Sequence, residues 1–597
     1  MIKIENLTKV GYDGKLEIMN FKFVFDNTSY LPTKVYSIGQ NNYIIANGST
    51  ATNVITGATY TYNNYNWIKQ QGSGEPVSPK FSEITNNGTY SIMNNEAKGF
   101  NTISVNTSGG GPSPTTGDKD VKFYDYDGTL VNAYTKDEFL ALSKLPANPT
   151  HEGLTAQGWN WTLSDAKDYV TDYEKLNIGQ IYVNDTPNGD TLLHIRLTDG
   201  RLAPYLGLTG NESGTTVSIN WGDGSESQTV TLNNVSKYTL HEYATEGEYI
   251  ISVSVISGSI RFTGNSTYGA YIFTKFSNPS ENVDSVYKNA LIKVEFGDNV
   301  ILDSYALSKC ESLLFVTLSN SITAINDLAF EHCGSLKLVT IPNSVMSIGE
   351  SAFAYAPLTT LIIPKQMTTI KQKAFYGCYS LSLVILSNSV TTINEHTFYQ
   401  CYSLKSIIIP NSVTTIKENS FNCCYSLQFI IIPNGVTSID STVFRECYFL
   451  TSVTIPSSVT SIGDYTFYNC YSLTSVTIPS GVTTVASYIL YQCNSLASVI
   501  IPFGVTSIEQ AAFQYCRSLT SITLPSTITR IEPQVFQYCY GLGFIKFSST
   551  TPPTVANSNA WNGIPKDCKI YVPSGSLSAY TSASNYPSSS TYTYIEY

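Results

Sequence analysis

A cysteine recurs every 23 residues at Cys401, Cys424, Cys447, Cys470, Cys493, Cys516 and Cys539. From Cys447 the chain reads CYFLTSVTIPSSVTSIGDYTFYN, and from Cys470 it reads CYSLTSVTIPSGVTTVASYILYQ. Cys310 and Cys333 keep the same spacing upstream, while Ala356 and Ala290 stand near the corresponding place in two departing copies. A fixed period of this kind marks stacked supersecondary units, and it constrains the fold more than any other feature of the chain. About eleven copies run from near Lys288 to Gly541.

Each copy carries Leu-x-x-(Val/Ile)-x-(Ile/Leu)-Pro, as in Leu450, Val453, Ile455 and Pro456. The alternation of Val453 and Ile455 is the period-2 signal of a short strand with one buried face. Proline ends that strand because it has no N–H for the ladder. Val459, Ile462 and Phe467 follow as further buried positions. One copy cannot bury three apolar clusters alone. Copies stacked at strand spacing make a continuous core roughly 50 Å long.

The motif C-x-S-L-x-S-V-x-I-P-x-S-V-T-S-I-x-x-x-x-F resembles the BspA-like leucine-rich repeat, with proline where other leucine-rich repeats place an Asn or Cys ladder. The resemblance implies a solenoid over residues 286–548 that presents a binding surface. Residues 549–597 fit a C-terminal cap with one more strand, Lys569 to Val572, and a short helix-like turn, the Ile570–Pro573 stretch resembling the usual end of such arrays. The cysteines lack the close pairs that zinc sites need, the adjacent Cys423 and Cys424 apart. One cysteine per rung reads as a small core residue, and Cys423, out of phase, is expected to be exposed.

Charged residues are only 13% of the 597, with 43 Tyr, 40 Gly and 25 Pro, which fits many short strands and turns. A net charge of -11 argues against a nucleic-acid partner. Residues 1–75 alternate in β fashion at 21–25, 35–38 and 43–46 and are expected to be an attachment module. Linkers are expected at 70–79 and 108–118, flanking a small β-module at 80–107. The pattern ITNNGTY followed by GFNTISVNT resembles a module of bacteriophage structural proteins, as does the stretch 119–178. The N-terminus shows no apolar leader segment, and no apolar run has the length of a membrane span, so release by lysis is the expected route out.

Two motifs invite chemistry. Asp125-Tyr126-Asp127-Gly128-Thr129 resembles the DxDGT motif of haloacid-dehalogenase-type phosphatases, which implies a nucleophilic Asp125 and an acid/base Asp127 beside Mg2+. Too few residues follow for that fold, and a strand ending in an Asp-Gly turn explains the same residues. His151 and Glu152 read as turn residues. Trp221-Gly222-Asp223-Gly224, with Tyr243 and Tyr249, resembles a PKD-like immunoglobulin-type sandwich over 179–285, with Asp223 in a turn rather than at a Ca2+ site.

Two surfaces are candidates for ligand binding. Outward strand positions place Ile362, Leu383, Ile385, Ile408, Phe429 and Ile431 side by side as an apolar patch, either an interaction site or a face covered by another domain or subunit. A stripe beside the cysteines carries Tyr379, Tyr402, Tyr425, Tyr448 and Tyr471, suited to protein or glycan recognition. The expectation is a multidomain, mainly β, non-enzymatic protein of a bacteriophage virion. It would meet a host-surface protein or glycan through the solenoid and other virion proteins through its N-terminal modules, with homo-oligomerisation left open. No cofactor, metal, nucleic acid or membrane insertion is expected. A bacterial surface adhesin is the alternative.

Overall fold

The computed structural model describes residues 120–184, 189–266, 269–273 and 286–597, with the backbone of ten strands between residues 6 and 105. The chain divides into two compact units, Met1–Gly117 and Asp118–Tyr597. In the first, eight strands form two four-stranded sheets, and Gly88–Met93 pairs antiparallel with Phe100–Val105. The strands Lys22–Phe25 and Val35–Ile38 fall where the alternation lies. The segments 70–79 and 108–118, expected as linkers, lie outside the described residues.

The second unit opens with a small α/β body. Its sheet runs in the order Leu130–Tyr134, Val121–Tyr124, Leu176–Asn184, Leu154–Trp159. Two helices, Lys136–Leu140 and Leu163–Tyr173, start at Thr135 and Thr162, whose side chains accept N–H groups of the first turn. The boundary expected at 178/179 falls inside the strand Leu176–Asn184, because that strand pairs with both Val121–Tyr124 and Leu154–Trp159. Two further sheets follow, sharing a core around Leu193, Leu206, Val217 and Trp221.

The solenoid has about thirteen turns, more than the repeat alone marks out. The array runs on into the expected cap, since Thr554–Val555 pairs with Arg530–Ile531 and Lys569–Val572 with Phe544–Phe547. At the other end the first rungs are paired to the preceding body. Thr191–Leu197 pairs antiparallel with the first rung strand, Leu291–Glu295, and Ile260–Phe262 pairs in parallel with Val300–Leu302. Both sheets of the preceding body therefore continue into the solenoid and cover its first edge.

Each rung has three walls. A three-residue strand such as Phe429–Ile431 pairs in parallel with Ser452–Thr454, and a two-residue strand, Ser438–Ile439, pairs with Ser461–Ile462. The third wall is turn-like. There the N–H groups of His396, Phe398 and Gln400 donate to the carbonyls of Glu418, Ser420 and Asn422 in the next rung at 3.1, 2.9 and 2.9 Å. His396 and Gln400 sit at φ 56° and 60°, a left-handed backbone that non-glycine residues enter at a cost, offset by those bonds.

Inside, Phe330, Phe353, Phe375 and Phe398 begin a column of rings stacked 5.0 to 5.6 Å apart. The cysteines line up beside it. From Cys333 to Cys539, each thiol at the rung phase bonds a carbonyl of the preceding rung, as Cys447 to Phe421 at 3.4 Å and Cys470 to Phe444 at 3.2 Å. Burial pushes these thiols well above their ordinary range, and all twelve cysteines are free. Cys423 corrects the expectation of exposure. It is 7% exposed, with its sulfur against Asn422 and Glu446. Cys447→Ala is expected to cost about 1–2 kcal/mol, read as a lower thermal midpoint. Reductant and chelator should leave the wild-type midpoint unchanged; a shift with either would contradict a purely structural ladder.

Candidate binding surfaces

Proline at the end of a rung strand leaves a carbonyl without its ladder donor. The register pairs Ile385 with Ile408, so the Leu386 carbonyl faces residue 410, which is proline. By the same geometry the Leu318 and Ile409 carbonyls face Pro342 and Pro433. An unmet carbonyl in a buried place costs about 1–3 kcal/mol. The small α/β body meets them. Asn184 N–H donates to Leu318 O at 3.1 Å, Trp161 Nε1 to Leu386 O at 2.9 Å, and Tyr169 Oη to Ile409 O at 3.1 Å. Asn160 Nδ2 reaches Ile363 O at 3.1 Å, and Tyr173 Oη accepts the N–H of Asn434 at 2.8 Å.

Apolar contacts follow the same track. Ile181 packs with Ile362 and Ile385, joined by Tyr124 and Leu383. A Cβ on Gly179 would come within 2.5 Å of the Ile362 side chain, so glycine is what allows this approach. The outward apolar patch is therefore covered from within the chain, as one of its two sequence readings has it. Ile362 and Ile385 are 8% and 1% exposed, Ile408 packs on the core of the small body, and the Lys175 ammonium lies 5.9 Å from the Phe429 ring. Leu383 and Ile431 are half-buried. Asn160, Trp161 and Tyr169 went unnoticed in the sequence; the signal for them is the row of prolines, which calls for outside donors.

The tyrosine stripe is a stack. Tyr379, Tyr402, Tyr425, Tyr448 and Tyr471 lie 4.9, 4.6, 4.6 and 5.0 Å apart, with rings within 23° of parallel. Ring faces are turned to each other along the solenoid, so the column offers ring edges and hydroxyls. Burial pushes the Tyr402 phenol up to about 12, and Tyr425 and Tyr448 higher, which keeps these hydroxyls protonated. Tyr448 Oη bonds Glu446 at 3.2 Å.

The chemistry-bearing motifs serve as joints. Asp125, Gly128 and Thr129 close a hairpin turn, with Asp125 N–H on Thr129 O at 2.8 Å and Gly128 at φ 88°. Asp127 is exposed, and its carboxylate accepts Thr129 N–H. Asp125 is nearly buried and bonds His151 Nε2 at 2.7 Å, with Tyr126 and Tyr182 edge-on to that imidazole. His151 is thus more than a turn residue, while Glu152 is an exposed one. Asp223 accepts from the Ser225 hydroxyl, the Ser225 N–H and His241, whose ring stacks on Trp221 at 4.6 Å. No group of three or more metal-ligating side chains occurs among the described residues.

Ile362→Glu would set a carboxylate under Gly179 and is expected to cost about 3 kcal/mol or more, raising protease cleavage within 120–184. Unaltered cleavage would mean that the small body is not held there. The bonds to Ser225, with His241, hold the Asp223 carboxyl at about 2 against the opposing pull of burial. A carboxyl lowered on folding stabilises fully above its ordinary range, and that contribution is lost as pH falls toward 2. Asp223→Asn should therefore flatten the decline of the thermal midpoint between about pH 4 and 2; a parallel decline in the variant would remove Asp223 from that account.

The BspA type leucine rich repeat region matches residues 300–428 and 414–543, in six copies. Similar solved structures include a leucine-rich repeat protein from Bacteroides ovatus at 22% identity, covering 64% of this chain and 98% of that one with a TM-score of 0.45. A leucine rich cell surface protein from Faecalibacterium prausnitzii is 30% identical over 44% of this chain and 81% of its own, with a TM-score of 0.31. A T. pallidum leucine rich repeat protein is 28% identical over 32% and 79%, with a TM-score of 0.24. No curated protein matches the chain. With superpositions of this extent, the assignment rests on the repeat itself: the C-terminal half of this chain is a leucine-rich-repeat solenoid of the BspA type.

Proposed function

We propose that this chain is a non-enzymatic adhesive protein whose solenoid meets ligands on a cell surface. The observation that carries the reading is the tyrosine column, a row of protonated hydroxyls repeated at every rung from Tyr379 to Tyr471. Rigid aromatic side chains with polar tips bind at little entropic cost, and here stacking has already immobilised them. The BspA type repeat supports the same reading. Asp125 and Asp127, the strongest argument for an enzyme, are engaged in a turn and with His151.

The finer proposal is deployment on a bacteriophage particle, as a fibre or receptor-binding component. Its support is the likeness of residues 80–107 and 119–178 to phage modules, and in it residues 1–107 attach the chain to other virion proteins. In the same reading the body at 189–273 is a PKD-like sandwich turned into an N-terminal cap. A bacterial surface adhesin of the BspA type is the alternative place for the same adhesive solenoid. Mass spectrometry of purified particles, set against surface fractions of the producing cells, decides between them; absence from every particle preparation ends the virion proposal.

Tyr425→Phe combined with Tyr448→Phe keeps the stacked rings and removes two hydroxyls. Cell binding by the full chain is expected to weaken about tenfold at an unchanged thermal midpoint. Undiminished binding would take the tyrosine column out of the function.

A further inference from the structure

The small α/β body ends its track at Asn434, and the same wall of short strands continues beyond it, with Ser452, Thr454, Ser475 and Thr477 exposed. The Ile455 and Ile478 carbonyls again face prolines, Pro479 and Pro502, and no group among the described residues donates to either. On the far side of each proline the N–H groups of Ser480 and Phe503 have no acceptor among the described residues. Upstream, carbonyls in this setting take bonds from Trp161 and Tyr169, so they are reachable from outside the ladder.

The outward side chains change character where the cover stops. Ile362, Ile385 and Ile408 line the covered part, whereas Thr454, Thr477, Ser475 and Ser498 are exposed on the open part. Each open rung thus offers an acceptor, a donor and hydroxyls, without charge, and repeats them at strand spacing. A charged ligand would find no counter-charge among these outward side chains. A protein surface of the kind that covers the upstream rungs would bury hydroxyls without apolar gain. A ligand whose own groups each donate and accept, repeating at about the rung spacing, fits throughout. Ile500 and Phe503, 60% and 73% exposed, supply apolar surface for the C–H face of a sugar ring.

We infer that the open sheet from Thr454 to Thr523 is a binding track for a neutral polysaccharide lying along the solenoid axis. This deepens the adhesive reading and rests on it, but uses a different face from the tyrosine column. The test is affinity electrophoresis of the full chain in gels containing dextran, mannan or soluble β-glucan, with alginate as the anionic comparison. At least one neutral polymer is expected to retard the chain. Thr454→Glu with Thr477→Glu should weaken that retardation about tenfold. Ser461→Glu with Thr484→Glu, on the second sheet, should leave it unchanged, and both variants should melt as the wild type does.

Retardation by none of the neutral polymers, by alginate alone, or equal losses in the two variants would overturn the inference. Cell binding that persists under saturating polysaccharide would point to a protein ligand, overturning the track while leaving the adhesive reading intact. Retardation without any cell binding would do the reverse.

Discussion

The missing N–H of proline governs this molecule. A parallel ladder is self-sufficient only when every residue donates as well as accepts, and the proline closing a rung strand breaks that balance on one side. Pro342, Pro410 and Pro433 leave the carbonyls of Leu318, Leu386 and Ile409 to be met from elsewhere. Asn184, Trp161 and Tyr169 meet them, and the α/β body that carries these residues becomes part of the solenoid rather than a neighbour of it. The apolar contacts of Ile181 with Ile362 and Ile385 follow from that placement. Burying an aliphatic side chain of this size contributes about 1.5–3 kcal/mol, so the polar track positions and the apolar seam holds.

Residues that look chemical are spent on joints. His151 with Asp125 ties a loop of the small body, His241 with Asp223 closes a turn against Trp221, and His194 with Glu295 spans the strands that join the preceding body to the first rung. The in-phase thiols from Cys333 to Cys539 each bond a carbonyl of the rung before. The two candidate surfaces are repetitive: phenol hydroxyls in the stacked column, and uncharged Ser and Thr hydroxyls on the outward strand positions. Such surfaces suit contact better than bond-making.

Much of the architecture was legible in the residues. The cysteine spacing, the alternation at Val453 and Ile455, and the aromatic at Phe467 mark the rung, its strand and its core, because burial at fixed phase is a local property. The Asp-Gly turn at 127–128 was legible for the same reason. At the C-terminal end the strand Lys569–Val572 was legible too, whereas Thr554–Val555, which keeps the stacking without the cysteine phase, was not. Cys423 looked free by its phase alone, yet neighbouring rungs close over it.

The apolar patch shows where local reasoning stops. Sequence alone determined that Ile362, Ile385 and Phe429 point outward from the sheet, because side chains alternate along a strand. Only the tertiary structure decided that outward is not exposed. The cover comes from residues some two hundred positions earlier, and it fits because Gly179 lacks a side chain and because three carbonyls lacked donors. Periodicity records what each rung buries within the stack; what lies across the sheet depends on a distant segment whose own pattern carries no trace of it.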